Sequence, residues 1–387
     1  MSQDDGASLL RSPERRGSDS IKWQRYAGRD VLPLWVADMD FAAPQPVLEA
    51  LQARIAHGVF GYAHPWPSLT DAVVDGIARH HGWQIDADWL VWLPGVVTGF
   101  NVASHLAGEP GDGILAMTPV YPPFLSSPRL AGRKLLRSDL LQVGESWIPD
   151  WEDLHTQASQ ARMLMLCNPH NPVGRSWTRQ ELQHIATLAE QHDWLVMSDD
   201  IHCGLVLDPQ RPYTPLASLD EDIARRTITL MAPSKTWNIP ALYAGFAIIP
   251  DAPLRRRYQH AMQGLVPHLN VLGLVATEAA YRDGDAWLDA LIAQLRDNAH
   301  TVQDAVAAMP GLTTTPVEAT YLAWLDCRAL AGHGVSDAAA FFEQHGVGLS
   351  DGKDFGAPGF LRLNFGCPPA LLAQALQRMR SALATLA

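Results

Sequence analysis

The chain has 387 residues, 47% hydrophobic and 18% charged, enough apolar material for a large core and a balance that excludes disorder of the whole chain. At roughly 100–200 residues per domain, that length implies two or three domains, or one large α/β domain with an appendage. The 29 basic and 41 acidic residues leave a net charge of −12, which argues against nucleic-acid binding, and no run approaches the roughly 18 consecutive apolar residues of a membrane span.

The first twenty residues, MSQDDGASLLRSPERRGSDS, lack an apolar h-region and read as a polar, flexible tail and not as a secretory signal. Short continuous apolar runs at 113–117 (GILAM), 163–167 (MLMLC), 194–198 (WLVMS), 227–232 (TITLMA) and 245–249 (GFAII) read as buried strands. Helical patterns lie between them. In the clearest, 178–193, Leu182, Ile185, Ala186 and Ala189 share one face, and Thr178 with Glu181 forms a capping box. This alternation predicts an α/β fold with a mainly parallel central sheet flanked by helices. From about residue 252 the texture changes. Helical patterns at 252–283 and 286–308 precede strands at 320–326 and 360–364 and a closing helix at 369–386. The expected organisation is a tail (1–20), an N-terminal segment (21–44) packed on a small C-terminal α/β domain (276–387), and a large domain (45–275). The four cysteines, Cys167, Cys203, Cys327 and Cys367, form no CxxC pair and no zinc-spaced cluster, so free thiols in a reducing cytoplasm are expected, and no metal.

Open α/β sheets carry their chemistry at the carboxyl ends of the strands. After MLMLC comes a rigid turn, Asn168-Pro169-His170-Asn171-Pro172-Val173-Gly174. After WLVMS come Asp199 and Asp200, adjacent carboxylates that are costly to bury without a cation, and then His202. After TITLMA come Ser234 and Lys235, and lysine is almost never buried unpaired. Singly, these read as a turn, a helix cap or ion-pair member, and a loop lysine. Together they place Asn171, then an Asp 28 residues on, then a Lys 36 residues further, each after a consecutive strand. One ligand accounts for all three: a phenolate-like oxygen for Asn, a protonated ring nitrogen for Asp and an aldehyde for Lys, the groups that pyridoxal phosphate carries.

From about residue 23 onward the chain resembles the fold-type I pyridoxal-phosphate enzymes of the class I/II aminotransferase superfamily. Within them it is most similar to the cystathionine β-lyase group of C–S lyases. The stretches that carry the resemblance are LPLWVADMDF (32–41), FGYAHP (60–65), LPGVVTGF (93–100), TPVYPPF (118–124), NPHNPVGR (168–175), SDDIH (198–202), SKTWN (234–238) and LRLNFG (361–366). The resemblance implies that Lys235 joins the cofactor aldehyde and acts as general base, that Asp199 pairs with the ring nitrogen, and that Asn171 donates to the ring oxygen. It implies that Tyr121 stacks on the ring, and that Val96, Val97 and Thr98, after Gly95, cradle the phosphate with help from Ser234. His202 stands near the ring, where many aminotransferases have Tyr. Arg362 would bind the substrate α-carboxylate, with Asn171 and Asp38 also near the substrate. Tyr62 would reach the phosphate of a neighbouring subunit, which implies a homodimer with shared sites. The implied activity is elimination from cystathionine or another cysteine S-conjugate, giving pyruvate, ammonia and a thiol. An aminotransferase shares the first steps, and a regulatory binding protein on the same fold is a third reading. Three departures stand out: Asp200 where the group more often has Glu, IPALYAGF (239–246) with Pro240 and Tyr243 after the lysine motif, and no arginine matching the family's phosphate arginine.

Overall fold

The computed structural model describes residues 9–386. The first eight residues of the expected tail lie outside the described residues. The central sheet has seven strands: Leu90–Leu93 (β1), Gly113–Thr118 (β2), Lys134–Asp139 (β3), Ala161–Cys167 (β4), Leu195–Asp199 (β5), Thr227–Met231 (β6) and Gly245–Ile248 (β7). Their order is β1-β7-β6-β5-β4-β2-β3, and all neighbours are parallel except β7, which is antiparallel to both β1 and β6. The five strands expected from apolar runs are present, each within two residues of its expected bounds. Helices cover both faces, so β2 and β6 are buried along their whole length, and a continuous apolar run is the pattern such strands need. The two strands that the apolar runs did not reveal are the two edges. β3, KLLRSD, alternates buried Leu136 and Ser138 with exposed Lys134, Arg137 and Asp139, because an edge strand faces water and charge there discourages pairing with another chain.

The helices that matter here are Gln45–His57 (α1), Pro67–His81 (α2), Val96–Ser104 (α3), Arg179–Gln191 (α4), Ala252–Met262 (α5), Val271–Asp283 (α6), Asp285–Ala307 (α7) and Pro369–Leu383 (α8). The capping box of α4 forms as expected: Thr178 Oγ1 accepts from the Glu181 N–H at 3.2 Å, and the Glu181 carboxylate accepts from the Thr178 N–H at 2.8 Å. The single helical pattern expected over 252–283 is instead two helices, α5 and α6. Gly264 at φ +76° turns the chain away, Pro267 cannot continue a helix, and the Asn270 side chain caps α6 afresh. α6 packs against α1 and α2.

A second, antiparallel sheet holds Thr313–Thr314 (β8), Leu322–Asp326 (β9), Ser350–Asp351 (β10) and Phe360–Asn364 (β11) in the order β8-β9-β11-β10. The chain's beginning joins this half of the molecule, since Leu32–Pro33 pairs in parallel with Val347–Gly348. The expectation of a free tail fails for the described part of it. Arg11 O accepts from the Ala42 N–H at 2.7 Å, Ser12 Oγ donates to Asp40 O at 2.6 Å, and Arg15 pairs with Asp38 at 2.8 Å and Asp40 at 2.7 Å. The physical reason is charge: folding removes the Asp40 carboxylate from water, and a cation must follow it. Among the described residues no helix is long and apolar enough to cross a membrane.

The Glu181 carboxylate also accepts from the buried Arg175 guanidinium at 2.9 Å, so the capping box is tied to the turn that follows β4. Thr178→Ala is expected to lower stability by about 1 kcal/mol, read as the midpoint of urea unfolding. An unchanged midpoint would mean that Arg175 alone holds Glu181 in place.

Candidate active site

β4, β5 and β6 lie side by side and end together, and the chain leaves each of them into a functional segment. The turn after β4 is buried throughout. Within it the Asn171 N–H donates to Cys167 Sγ at 3.4 Å, and Asn171 O accepts from the Tyr121 N–H at 3.1 Å, which fixes the aromatic beside the turn. Asp199 closes β5 and is 3% exposed. Its carboxylate accepts from the Ile201 N–H at 3.2 Å and, among the described residues, makes no ion pair. Burial pushes this carboxyl up to about 7, the Asp200 charge adds to the rise, and the Ile201 N–H and Lys235 oppose it. Asp200, equally buried and likewise raised to about 7 by burial, accepts from the Ser198 and Tyr213 hydroxyls. These two hydroxyls hold the buried Asp200 carboxyl without a cation.

Lys235 lies in the one-turn helix Pro233–Thr236 that follows β6. Its Nζ donates to Ala37 O at 2.6 Å. Burial, with the Arg362 charge, pulls the amine down to about 8, against the pull of Asp38 and Asp199. Arg362, in β11 of the second sheet, reaches across to the first. Its guanidinium donates to Asn171 Oδ1 at 3.1 Å, to Trp35 O at 2.9 Å and to Ser350 Oγ at 3.4 Å, and lies 4.7 Å over the Phe355 ring. Its Nε is buried without a partner. Burial lowers it to about 10, which leaves it cationic at neutral pH. His202 is buried edge-on to Tyr321 at 5.9 Å, and its Nδ1 has no partner. Burial, reinforced by Lys235 and Arg362, drives its pKa well down and keeps the imidazole neutral.

Gly95 and the start of α3 belong to the same edge of the sheet. Gly245 pairs with Leu93 and Phe246 with Met231, so the end of β1 and the end of β6 are brought together through β7. The Val96–Thr98 turn and Ser234 thus follow neighbouring strand ends. A Cβ placed on Gly95 would meet nothing within 4 Å, so space lies open over this helix N-terminus, where backbone N–H groups suit an anion. Of the residues named from sequence, Tyr62 is not brought into this group, and Asp38 stands beside Lys235 with its carboxylate already engaged. Tyr62 is 91% exposed and touches His268, with ring centroids 5.1 Å apart. The Asp38 carboxylate is taken by Arg15 at 2.8 Å and Lys22 at 3.7 Å and does not stand free for a ligand.

The backbone of 35–41 gave no local signal of its role. Ala37 O accepts from Tyr321 Oη at 2.8 Å as well as from Lys235, and Asn364 Nδ2 donates to Val36 O at 2.6 Å and Asp38 O at 2.7 Å. Asn238 brackets Met39, accepting from its N–H and donating to its carbonyl, both at 2.9 Å. Thr320, next to Tyr321, sits at φ +76°, a costly conformation for a β-branched residue that the surrounding contacts must hold. A cleft of about 730 Å³ opens beside Lys235, lined among others by Leu48, Leu51, Pro240, Tyr243, Arg15 and Asp38. The group as a whole has an amine, a buried acid without a cation, unpartnered imidazole and guanidinium nitrogens, and an open anion cradle. A flat anionic ligand with a protonatable ring nitrogen and an aldehyde suits the amine, the acid and the cradle, and leaves the guanidinium for a carboxylate.

A model of the family aminotransferase class I and II matches residues 29–379. Cystathionine beta-lyase PatB of Bacillus subtilis (strain 168) is 39% identical over 384 residues, spanning 96% of this chain and 98% of its own. Protein MalY of Escherichia coli (strain K12) is 33% identical over 384 residues, spanning 96% of this chain and 97% of its own. Among solved structures, that of OvoB superposes with a TM-score of 0.93 at 45% identity, covering 97% of this chain and 98% of that one. Cystalysin from Treponema denticola, solved with a pyridoxal 5'-phosphate cofactor, superposes with a TM-score of 0.92 at 31% identity, covering 98% and 99%.

The raised Asp199 pKa has a measurable consequence in the ligand-free chain. Between its usual 3.8 and about 7 the carboxyl is protonated when folded and ionised when unfolded, so its contribution to stability is lost as pH rises through that window. Asp199→Asn is therefore expected to melt at a higher temperature than wild type at pH 8, by a margin that narrows towards pH 4. A margin that widens on acidification would contradict the desolvated carboxylate.

Proposed function

Because the chain belongs to the class I and II aminotransferase family and has the fold-type I pyridoxal-phosphate architecture of its relatives, we propose that it is a pyridoxal-phosphate-dependent carbon–sulfur β-lyase. Its substrates would be cystathionine or another cysteine S-conjugate, released as pyruvate, ammonia and a thiol. The observation that carries the chemistry is the convergence of half-buried Lys235 with buried Asp199 and Arg362 on the edge where the two sheets meet. The choice of lyase rests on the relatives, foremost the 39% identity to a cystathionine beta-lyase.

When bound, the cofactor supplies an electron sink for the pair left at the substrate Cα. In this reading Lys235 would hold its aldehyde in the resting enzyme, Asp199 would pair with the ring nitrogen, Asn171 would donate to the ring oxygen and His202 would stand near the ring. Tyr121 lies against the ring, and Val96, Val97, Thr98 and Ser234 receive the phosphate. Asp199 would be held ionised by the protonated ring nitrogen of the bound cofactor, which would offset the cost of its buried charge. Arg362 has its free Nε and two donors already aimed by Asn171 and Trp35, so a substrate carboxylate enters a fork that needs no reorganisation. Once the substrate amine has displaced it from the aldehyde, the freed Lys235 would take the Cα proton as general base. An amine pulled down to about 8 keeps a useful neutral fraction near neutral pH, where an ordinary lysine would keep almost none. The β-substituent leaves as a thiolate that accepts a proton, and the unsaturated amine left behind hydrolyses to pyruvate and ammonia. The cleft lined by Pro240 and Tyr243 would receive the departing thiol.

A homodimer completes this reading. Exposed Val59, Phe60 and Tyr62 form an apolar edge that a second copy would cover, placing Tyr62 against the neighbour's phosphate. Four free, buried cysteines suit a cytoplasmic setting.

Incubated with cystathionine and no keto acid, the purified protein is expected to release pyruvate and thiol catalytically, and Lys235→Ala is expected to lose at least about a thousandfold of that rate. Amino-group transfer to an added keto acid as the main steady-state activity would overturn the lyase reading in favour of an aminotransferase. Arg362→Lys is expected to raise KM for the amino acid roughly tenfold or more, since an ammonium replaces a bidentate fork. Tyr62→Phe is expected to weaken cofactor retention during dialysis only if the protein is a dimer, and a monomer by light scattering with full activity would refute the shared site.

A further inference from the structure

Of the cations that precede the region the family model matches, which begins at residue 29, Arg15 and Lys22 reach the loop beside Lys235. Arg15 donates to both Asp38 oxygens, at 3.4 and 2.8 Å, to Asp40 Oδ1 at 2.7 Å, to Met39 O at 3.1 Å and to Ser20 Oγ at 2.7 Å. Lys22, fully buried, donates to Asp40 Oδ2 at 2.7 Å and Asp38 O at 3.1 Å. Trp23 adds an N–H to Asp40 at 3.1 Å, and Trp35 ties back to Lys22 O at 3.1 Å. The result is a four-charge clamp closed over the loop that contains Ala37, the carbonyl that receives the Lys235 amine. Arg15 and Asp38 also line the cleft that opens beside Lys235, so the clamp is both a brace and a wall.

We propose that Arg15 is a positioning residue for the proton transfer: through Asp38, Asp40 and the Met39 carbonyl it fixes the Ala37 carbonyl in place, and it balances the Asp38 charge that faces the Lys235 amine. This rests on Lys235 being the general base. The groups facing that amine are Asp199 at the end of β5, His202 in the loop after it, Arg362 from β11, Tyr321 just before β9, which shares the Ala37 acceptor, and Asp38 from the N-terminal segment. Arg15 and Lys22 stand behind Asp38. Asp38 favours the protonated amine and Arg362 opposes it, so unmasking or deleting the Asp38 charge should move the amine in opposite directions. A purely structural strap would not produce that sign reversal.

The test uses full-length Arg15→Gln, Asp38→Asn and Arg15→Lys. The first readout is the pH midpoint at which Lys235 is acetylated in the cofactor-free chain, followed by mass spectrometry. The second is kcat and KM for pyruvate release from cystathionine. Arg15→Gln is expected to move the midpoint up and Asp38→Asn to move it down, each by about half a unit or more. Arg15→Lys should stay near wild type, and kcat of Arg15→Gln should fall roughly tenfold or more with KM changed less. Asp38→Asn retains the Arg15 contacts to Asp40 and Met39, so a folded variant remains if Arg15→Gln does not fold. Midpoints that move together, or that stay put in folded variants, would overturn the proposal. Absence of pyruvate release by wild type would strike the lyase reading alone, because the labelling midpoints do not depend on turnover.

Discussion

The structure turns on keeping ionisable groups dry at the meeting edge of two sheets. Asp199 and Arg362 are withdrawn from water and Lys235 is half-buried, and among the described residues none of them has a salt-bridge partner of opposite charge. Such an arrangement is unfavourable for folding by itself and is what a site prepared for a charged ligand requires. The protein tolerates it by supplying dipoles in place of countercharges. The Ile201 N–H meets Asp199, the Ala37 carbonyl meets Lys235, and Asn171, Trp35 and Ser350 meet Arg362. Each dipole is strong enough to hold a geometry and weak enough to yield to a ligand that brings full charge.

The 35–41 segment makes that possible. It has no regular structure, yet residues from the end of β6 (Lys235, Asn238), from the strand start of the second sheet (Tyr321), from β11 (Arg362, Asn364) and from the chain's beginning (Arg15, Lys22) all hydrogen-bond to it. A loop held from four directions behaves as a rigid part. The positive-φ residues Asn238 and Thr320 both lie next to these contacts, so local backbone cost is spent where the loop is gripped. Of the departures from the family pattern, Asp200 is held by the Ser198 and Tyr213 hydroxyls, and Pro240 and Tyr243 shape the cleft wall beside the lysine, where substrate selection would act.

Much of the fold was legible because buried parallel strands demand unbroken apolar runs, and five such runs located five of the seven strands. The edge strand β3 escaped for the converse reason: it is half wet, and its alternating pattern is too short and too charged to stand out. The break between α5 and α6 was written in Gly264, Pro267 and Asn270, but the apolar periodicity on either side hid it. The described part of the tail was misread because composition alone cannot say that arginines will find buried carboxylates.

For the site, the residue order alone determined that an asparagine, an aspartate and a lysine would end neighbouring strands on one edge, because strand ends and the intervals between them are local properties of the chain. Only the tertiary structure decided what holds them. The contact of Lys235 with Ala37 spans 198 residues and that of Arg362 with Trp35 spans 327. The acceptors in both are main-chain carbonyls, which every residue possesses and no side-chain pattern can single out. Asp38, conspicuous in its motif, proved to be paired with Arg15 and Lys22 for the same reason: which cation reaches a carboxylate depends on distances in space that spacing along the chain does not encode.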